Sequence, residues 1–424
     1  MPGIPGKLPV SLVLLLLAPA ISLGAPVSRL TAGLTLEAAL TEARRANATL
    51  PVARQQVNSA MARVGEARGE GYKLSLDGDL HGGSPQDYAS NDSLLQLSVQ
   101  TPIYDGGQRA ANIAQRLADV EASRAGYRMA ARDVDFAVRL AFGQILRDTA
   151  AREFQRRGVT RLRAYLAVVK ARQAAGQGVT ADVLKIRQRI ATALAELDTT
   201  GRGLHEARME LNNLLGREPD STLVLAGLPM PTPPQKVNGQ PWLDAPDVAQ
   251  SAQAVRAGEA ALRATRGSRR PQISLEANVG NQHPFGQGPA PLNNGTGSGG
   301  EVLLNFRLPL WDRGVYRSRV AAANAELAGA RDKQQVIRRS ARLAWQRAAS
   351  DLDDLYNEYQ ARQKAVSVAR DAWLQAESVY RGGQGTALGV LDAYDAWMQA
   401  SRSRLEVIYN YRVAKAQLAR WGAR

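Results

Sequence analysis

An internal duplication restricts the fold of this chain more than any other feature. The segment TPIYDGG, which starts at Thr101, recurs as LPLWDRG from Leu308 at an offset of 207 residues. The segment GQG at Gly176 recurs at Gly383 with the same offset. Two landmarks kept at one offset indicate that a single structural unit is built twice.

Each copy has the pattern helix, strand, loop, strand, long helix, turn, helix. We assign residues 25–216 to the first copy and residues 247–424 to the second. Residues 217–246 lie between them, are rich in Pro, Gly and Asp, and show no sustained hydrophobic period. Because this stretch also contains the apolar run Leu223 to Leu225, we predict a small folded belt there.

Four segments alternate apolar and polar residues with a period of two, which is typical of strands between unlike environments. We expect each to form a strand of about ten residues, the length that a tilted strand needs to cross a bilayer. The alternation alone is equally compatible with a soluble sheet. A sheet in hydrocarbon must close on itself, however, and three chains of four strands would give a ring of twelve. The segments are 72–80, 95–100, 273–279 and 301–308.

Two stretches without proline predict unusually long helices. They run from Gly107 to about Ala175 and from Gly314 to about Tyr380, which corresponds to roughly 100 Å of helix each. Such lengths imply coiled-coil-like packing. We expect shorter helices to cover them in stacked pairs, the first helix of one copy on the last helix of another. The shorter segments are Leu36 to Arg68, Thr180 to Leu215, Val248 to Arg266 and Thr386 to Trp421.

A repeated motif marks the passage from strand to long helix in both copies. We expect the proline to end the strand ladder, the aspartate to cap the helix, and the glycine to allow the change of direction. These junction residues are Pro102, Asp105 and Gly107 in the first copy and Pro309, Asp312 and Gly314 in the second.

Several function classes are disfavoured by composition. Residues 1–24 have the pattern of an export signal peptide, with Lys7 before an apolar run and small residues at its end. The chain has no cysteine, which excludes disulfides and thiolate chemistry. Its formal net charge is +15, but the arginines alternate with acidic residues along the helices, so we expect no nucleic-acid partner.

Catalytic and metal sites are not expected either. His81, His205 and His283 lie in different predicted elements without ligand spacing. The sequence contains no phosphate loop, nucleophile elbow or dinucleotide fingerprint. We therefore predict that the protein is not an enzyme, carries no cofactor, and depends on a partner for energy.

With the repeat, these junctions and the tail from Ala416 to Gly422, the chain resembles the TolC-type outer-membrane efflux proteins over essentially its whole mature length. The resemblance implies a mixed, mainly α fold: a homotrimer with a 12-stranded transmembrane β-barrel in outer-membrane lipid and a coiled-coil helical tunnel in the periplasm. It also implies a passive export channel, docked through a periplasmic adaptor (a membrane fusion protein) to a proton-driven or ABC-type inner-membrane transporter. Drug efflux and type I protein secretion both occur in the family.

The resemblance also implies roles for the helix-turn-helix tips, which dock the adaptor and constrict the entrance. In well-studied relatives a tyrosine, an arginine and two aspartates hold this gate shut. Here Tyr380 and Asp392 match the tyrosine and the second aspartate, whereas Gly385 and Gly389 replace the arginine and the first aspartate. The expected tip residues are Gly176, Gln177, Gly178, Gly383, Gln384 and Gly385.

Two other protein classes would explain part of the pattern. A soluble or surface-attached coiled-coil adhesin would explain the long helices, but it leaves the strands at matched places in each copy without a reason. A general diffusion porin would explain the strands, but roughly two thirds of the chain is predicted to be helical.

Overall fold

The computed structural model describes residues 33–80, 92–235, 239–284 and 298–421. The expected signal peptide, His81 and most of the two strand-connecting loops lie outside these residues. The described chain is mainly helical and has four antiparallel strands, which confirms the predicted fold class. No helix of the described residues is long and apolar enough to cross a membrane, and no group of three or more acidic or histidine side chains in them could hold a metal ion.

The elements follow the predicted order in both copies. In the first copy they are α1 (Leu36–Ala46), α2 (Thr49–Gly69), β1 (Lys73–Leu80), β2 (Asp92–Tyr104), α3 (Gln108–Ala174) and α4 (Thr180–Leu214). In the second they are α5 (Pro246–Gly267), β3 (Gln272–Pro284), β4 (Ser298–Arg307), α6 (Val315–Arg381) and α7 (Ala387–Arg420), preceded by a 3-10 turn at Pro241–Asp244.

The sheet has the order β1-β2-β3-β4, and its two faces differ in chemistry. Leu76 pairs with Leu97, and Leu97 pairs with Val279, so that successive strands place apolar side chains on one face. These side chains are exposed: Leu74, for example, is 72% accessible. Because a folded monomer seldom leaves such a continuous apolar face in water, the face calls for a non-aqueous environment.

Hydrogen bonds connect the polar side chains of the opposite face across the strands. Ser75 Oγ lies 2.8 Å from Ser98 Oγ, and both hydroxyls reach Asp77 Oδ2. On the other two strands, Asn278 Nδ2 donates to Glu301 Oε1 at 3.2 Å. This face is therefore suited to water.

The helices form a layer whose order matches that of the strands. Helix α3 packs against α2 and α4 on one side and against α5 and α7 on the other. Among the described residues, helix α6 packs against α5, α7 and the 3-10 turn at Pro241–Asp244. The layer therefore has four columns, α2 with α4, then α3, then α5 with α7, then α6, and each column continues one strand.

The stacking of the short helices differs from our expectation. The first helix of each copy stacks on the last helix of the same copy. Asn47 Nδ2 donates to the Leu214 carbonyl at the end of α4, just before α2 begins. In the second copy, Trp421 at the end of α7 packs with Val248 at the start of α5.

Two further expectations were wrong in detail. The segment Leu36 to Arg68 is not one helix, because Asn47 ends α1 and its Oδ1 accepts hydrogen bonds from Thr49 at the start of α2. Pro102 does not end its strand: it pairs with Ser274, and a register shift between Pro102 and Tyr104 lets the ladder continue. A bulge tolerates the missing amide donor.

The stretch between the copies is held against both. Leu34 and Leu225 form an isolated parallel bridge, and Arg217 makes a two-pronged ion pair with Glu42, its closest N···O distance being 2.5 Å. Further along, Tyr411 donates its hydroxyl to the Thr232 carbonyl at 2.7 Å. The described part of this segment thus wraps from α1 across to α7.

Candidate functional site at the helical tips

The turns from α3 to α4 and from α6 to α7 have the same backbone geometry. Gly176 and Gly383 adopt left-handed φ angles of 75° and 87°. The following residues, Gln177 and Gln384, donate to carbonyls five residues earlier at 2.9 and 3.2 Å. This is the Schellman arrangement, which satisfies the last carbonyls of a helix before the chain reverses.

The second glycine of each tip is required for a different reason. A Cβ at Gly178 would lie 3.2 Å from the amide nitrogen of Gln173. A Cβ at Gly385 would lie 3.1 Å from the amide nitrogen of Tyr380. A Cβ at either position would therefore crowd the backbone at the end of the preceding helix, which would have to shift.

The two tips of one chain are joined by Arg172, a residue that sequence reasoning did not single out. Its Nη1 donates to the carbonyl oxygen of Tyr380 at 2.6 Å. Its guanidinium also lies 4.7 Å from the centre of the Tyr380 ring. One arginine of α3 thus caps the C-terminal end of α6, where the helix dipole favours a cation. The second copy has Val379 at the equivalent position, so the link runs in one direction only.

Tyr380 is buried in the same contact. Its ring packs edge-to-face on Tyr165 with 5.5 Å between ring centres. Tyr165 donates its hydroxyl to the Ala387 carbonyl at the start of α7, and burial raises the pKa of Tyr165 above its ordinary value. Tyr380 therefore packs inside the protomer and does not line an open surface.

An aromatic cluster above the tips ties three helices together. Trp373 of α6 and Trp397 of α7 are stacked, with ring centres 5.0 Å apart. Phe154 of α3 meets Trp397 edge-to-face, and the Arg161 guanidinium lies 4.7 Å from the Trp397 ring. Such contacts are worth about 0.5–1.5 kcal/mol each beyond simple burial.

The returning helices α4 and α7 are linked by charge. Arg189 of α4 donates to Asp395 of α7 at 2.6 Å, and Arg402 of α7 is paired with Glu196 of α4. Two ion pairs at successive levels fix how the two hairpins of one chain lie relative to each other.

Asp392 differs from its neighbours because it is exposed on α7 and forms no ion pair among the described residues. The structure does not bring it into hydrogen-bonding contact with Tyr380, the other expected gate residue. Of the expected tip residues, Gln177 and Gln384 are exposed at the end of the molecule. The two exposed amides and the exposed Asp392 carboxylate are therefore among the groups that this end offers to a partner or to a passing solute.

At the other end of the long helices, the strand-to-helix junctions are capped by aspartate. Asp105 accepts hydrogen bonds from the amides of Gly107 and Arg109 at 2.9 and 2.6 Å. Asp312 accepts from those of Gly314 and Tyr316 at 3.1 and 2.7 Å. A carboxylate at this point also interacts favourably with the helix dipole.

Comparison with known proteins gave consistent matches. The family model of the outer membrane efflux protein matches residues 39–217 and 243–422. The chain is 22% identical over 365 residues to the outer membrane efflux protein BepC of Brucella suis biovar 1 (strain 1330), covering 85% of this chain and 78% of BepC.

Two solved structures share the fold at low sequence identity. CusC is 17% identical with a TM-score of 0.83, and the match covers 92% of each chain. The outer membrane protein VceC of Vibrio cholerae is 18% identical with a TM-score of 0.80, covering 92% of this chain and 96% of VceC.

Proposed function

Because the chain belongs to the outer membrane efflux protein family and is located in the outer membrane, we propose that three copies of it form a passive export duct. The duct would consist of a transmembrane barrel and a periplasmic helical tunnel. A periplasmic adaptor would open it, and an inner-membrane transporter, proton-driven or of the ABC type, would supply the energy.

The observation that carries this proposal is the shared order of strands and helices. In the described part of the chain, the sheet ends in two unpaired edges, β1 and β4, and the helical layer ends in two bare columns, α2 with α4 and α6. If β4 of one copy pairs with β1 of the next, the same movement places α6 beside the neighbour's α2 and α4. Three such steps would close twelve strands and twelve helical columns together.

The faces of the sheet support the same assembly. Closure leaves the exposed apolar side chains, Leu74 and Leu76 among them, on one surface of the ring. The hydrogen-bonded polar row of Ser75, Ser98 and Asn278 lies on the other. We infer that the first surface contacts lipid and the second lines the duct, since barrels in membranes alternate in this way.

A mass measurement tests the assembly. The protein, extracted from an outer-membrane fraction in mild detergent, should have the native mass of three mature chains plus bound detergent. A water-soluble monomer would contradict the duct and would favour the alternative of a coiled-coil structural protein or adhesin.

We further propose that the tips dock the adaptor. The residues concerned are Gly176, Gln177, Gly178, Gly383, Gln384 and Gly385, and exposed apolar residues lie close by: Val179, Leu184 and Leu388. The variants Leu184→Asp and Leu388→Asp should reduce co-purification of the adaptor that is encoded beside this gene. Val224→Asp, which changes an exposed apolar residue of the belt, is the matched control. Equal loss in all three variants would place the docking surface elsewhere.

We propose Asp392 as the gate residue, because three copies would place three unpaired carboxylates at the entrance. A ring of like charges at a narrow opening raises the local cation concentration. Tyr380 would take part through its contact with Arg172, which caps the end of α6 just before the tip. Asp392→Asn should weaken block of single-channel current by divalent cations, whereas Asp198→Asn on α4 should not. Unchanged block in Asp392→Asn would show that another charge controls the entrance.

The energy source can be tested separately. Deleting the neighbouring transporter gene should abolish export while the duct remains in the outer membrane. The kind of transporter found there, proton-driven or ABC, would distinguish drug efflux from type I secretion.

A further inference from the structure

The strand-to-helix junction of the second copy carries exposed side chains of mixed character. Leu310 and Trp311 are 81% and 78% accessible, and they follow β4, which ends at Arg307, after Leu308 and Pro309. Arg313 stands two residues further on, with its guanidinium 5.6 Å from the Trp311 ring centre. Exposed apolar side chains and a positively charged side chain thus lie within a few residues of each other.

The backbone at Arg313 is unusual. Its φ angle is 54°, and it is the only residue other than glycine with a positive φ in the described part of the chain. The equivalent residue of the first copy is Gly106, with φ 70°. A side chain in the left-handed region costs free energy that glycine avoids, so the second copy keeps an arginine at a position better suited to glycine.

The first copy has no room for such a side chain. A Cβ at Gly106 would lie 2.7 Å from Cβ of Arg270 and would collide with the Gly267 carbonyl. The basic group is therefore a property of the second junction alone, although the surrounding motif is shared.

A second arginine adds to the positive charge. Arg269 lies with its guanidinium 5.3 Å from the ring centre of Tyr316, in the first turn of α6. Neither Arg269 nor Arg313 forms an ion pair among the described residues. The nearby Asp312 is occupied by two backbone amides of α6. Two cations, each beside an aromatic ring, thus lack an anionic partner.

The position of the group in the ring follows from the first copy. Tyr104, the equivalent of Trp311, pairs with Ile273 and so belongs to the apolar face of the sheet. Ile103 and Tyr104 remain 59% and 44% accessible although β3 and α5 flank them. A neighbouring copy beside β4 and α6 would therefore leave Leu310 and Trp311 accessible too.

We propose that Trp311, Arg313 and Arg269 bind the phosphate-bearing headgroup of an anionic glycerophospholipid at the edge of the bilayer. This rests on the proposal that the sheet spans the membrane. Trp311 and Leu310 enter the acyl boundary, where amphipathic aromatic side chains are favoured, and the guanidinium groups reach the phosphate.

The test compares lipid retention by the full-length protein in nanodiscs. Wild type should prefer phosphatidylglycerol over phosphatidylcholine, and Arg313→Gln should lower this preference by about fivefold, the effect of one arginine at an anionic surface. Arg313→Lys should retain it. Arg156→Gln, which removes an exposed arginine in the middle of α3, should leave it unchanged. Inorganic phosphate should not displace the lipid; displacement would indicate a free-anion site and overturn the proposal.

Quenching of tryptophan fluorescence by brominated phosphatidylglycerol distinguishes this proposal from the proposal that the sheet spans the membrane. The difference in quenching between wild type and Trp311→Phe reports whether residue 311 contacts lipid. No difference would overturn the membrane position of the sheet. Quenching together with an unchanged lipid preference in Arg313→Gln would overturn the headgroup site alone. Loss of the trimer in Arg313→Gln with the lipid preference intact would assign Arg313 to the contact between copies.

Discussion

The two long helices α3 and α6 have the same length and equivalent places in the repeat, yet their burial differs greatly. Each contains 67 residues. Helix α3 has seventeen buried residues along its length, including Phe142 and Val138, which are fully enclosed. Helix α6 has only six. Both helices begin after the same capped glycine junction, so the difference does not come from how they start.

Position within the protomer explains the contrast. Helix α3 has a column of helices on either side, whereas α6 has one side without a partner among the described residues. Exposed apolar residues lie along α6 at Val336, Leu343 and Val368. A helix side that faces water would carry polar residues at these positions. The exposed apolar residues therefore indicate that this side of α6 packs against a neighbouring copy of the chain.

The largest loss of stability is expected for a substitution in the middle of α3. Phe142→Ala removes a fully buried ring beside α1 and α4, and should lower the free energy of unfolding by about 3–5 kcal/mol. Because this packing lies within one chain, chemical denaturation should show the loss in monomer and trimer alike. If only the trimer lost stability, the packing of α3 would also depend on neighbouring copies, and α3 and α6 would not differ in this respect.

A substitution at the tip tests whether α3 holds the C-terminal end of α6 in place. Arg172→Ala removes a hydrogen bond from a charged group to the Tyr380 carbonyl, and should cost about 2 kcal/mol of local stability. Hydrogen exchange of the amides near Tyr380 should accelerate accordingly. Arg381→Ala is the control, since its partner Glu377 belongs to the same helix. Equal acceleration in both variants would mean that Arg172 does not hold the tip.

A matched pair of leucines on α6 tests the bare side directly. Leu343 is 48% accessible in one chain, whereas Leu352 is buried against α7. Leu343→Ala should weaken the trimer by about 1 kcal/mol per chain without affecting the protomer. Leu352→Ala should destabilise the protomer itself. Thermal dissociation of the trimer on semi-native gels measures the first effect. Unchanged dissociation would mean that this side of α6 faces the duct and does not contact a neighbouring copy.

The smallest effect at neutral pH is expected where α7 packs on α3. The Tyr394 hydroxyl has no hydrogen-bond partner in the described chain, and Gly158 leaves the space for it. Tyr394→Phe should therefore change stability by less than about 0.5 kcal/mol at pH 7.

The same variant should show its effect in alkali. Burial raises the pKa of Tyr394 from 10.0 to about 12. The folded state therefore favours the neutral phenol, and this stabilisation is complete below about pH 10 and lost as the pH rises through 12. Denaturation followed against pH should show a smaller alkaline decline in Tyr394→Phe than in wild type. An identical decline would mean that Tyr394 does not titrate with unfolding.

The sequence predicts this fold well wherever one structural rule acts alone. The period of two predicts the four strands, and the absence of proline predicts α3 and α6 to within a residue or two. It fails where distant groups compete with local preference. The end of α1 at Asn47 does have a local signal, because Pro51 opposes a continuous helix through the Asn47 carbonyl, but the hydrogen bond from Asn47 to the Leu214 carbonyl, 167 residues away, has none.

The tips show the same division. The glycines and glutamines are visible as a repeated motif, because turn geometry is local. Arg172 is not, since only the fold brings it to Tyr380, 208 residues later. Its one sequence signal is that the repeat breaks there, with Arg172 facing Val379 in the alignment of the two copies. The positive φ of Arg313 likewise has a signal in the sequence, because the equivalent residue of the first copy is Gly106.

The unpaired edges β1 and β4 also bear on how the molecule is made. Helices satisfy their own backbone groups, so the helical hairpins of a newly exported chain can form while it is alone. The sheet cannot, because its outer strands remain open to any passing strand until two sister chains arrive. Biogenesis should therefore depend on subunit concentration, with membrane insertion and oligomerisation occurring as one event and a need for chaperones before it.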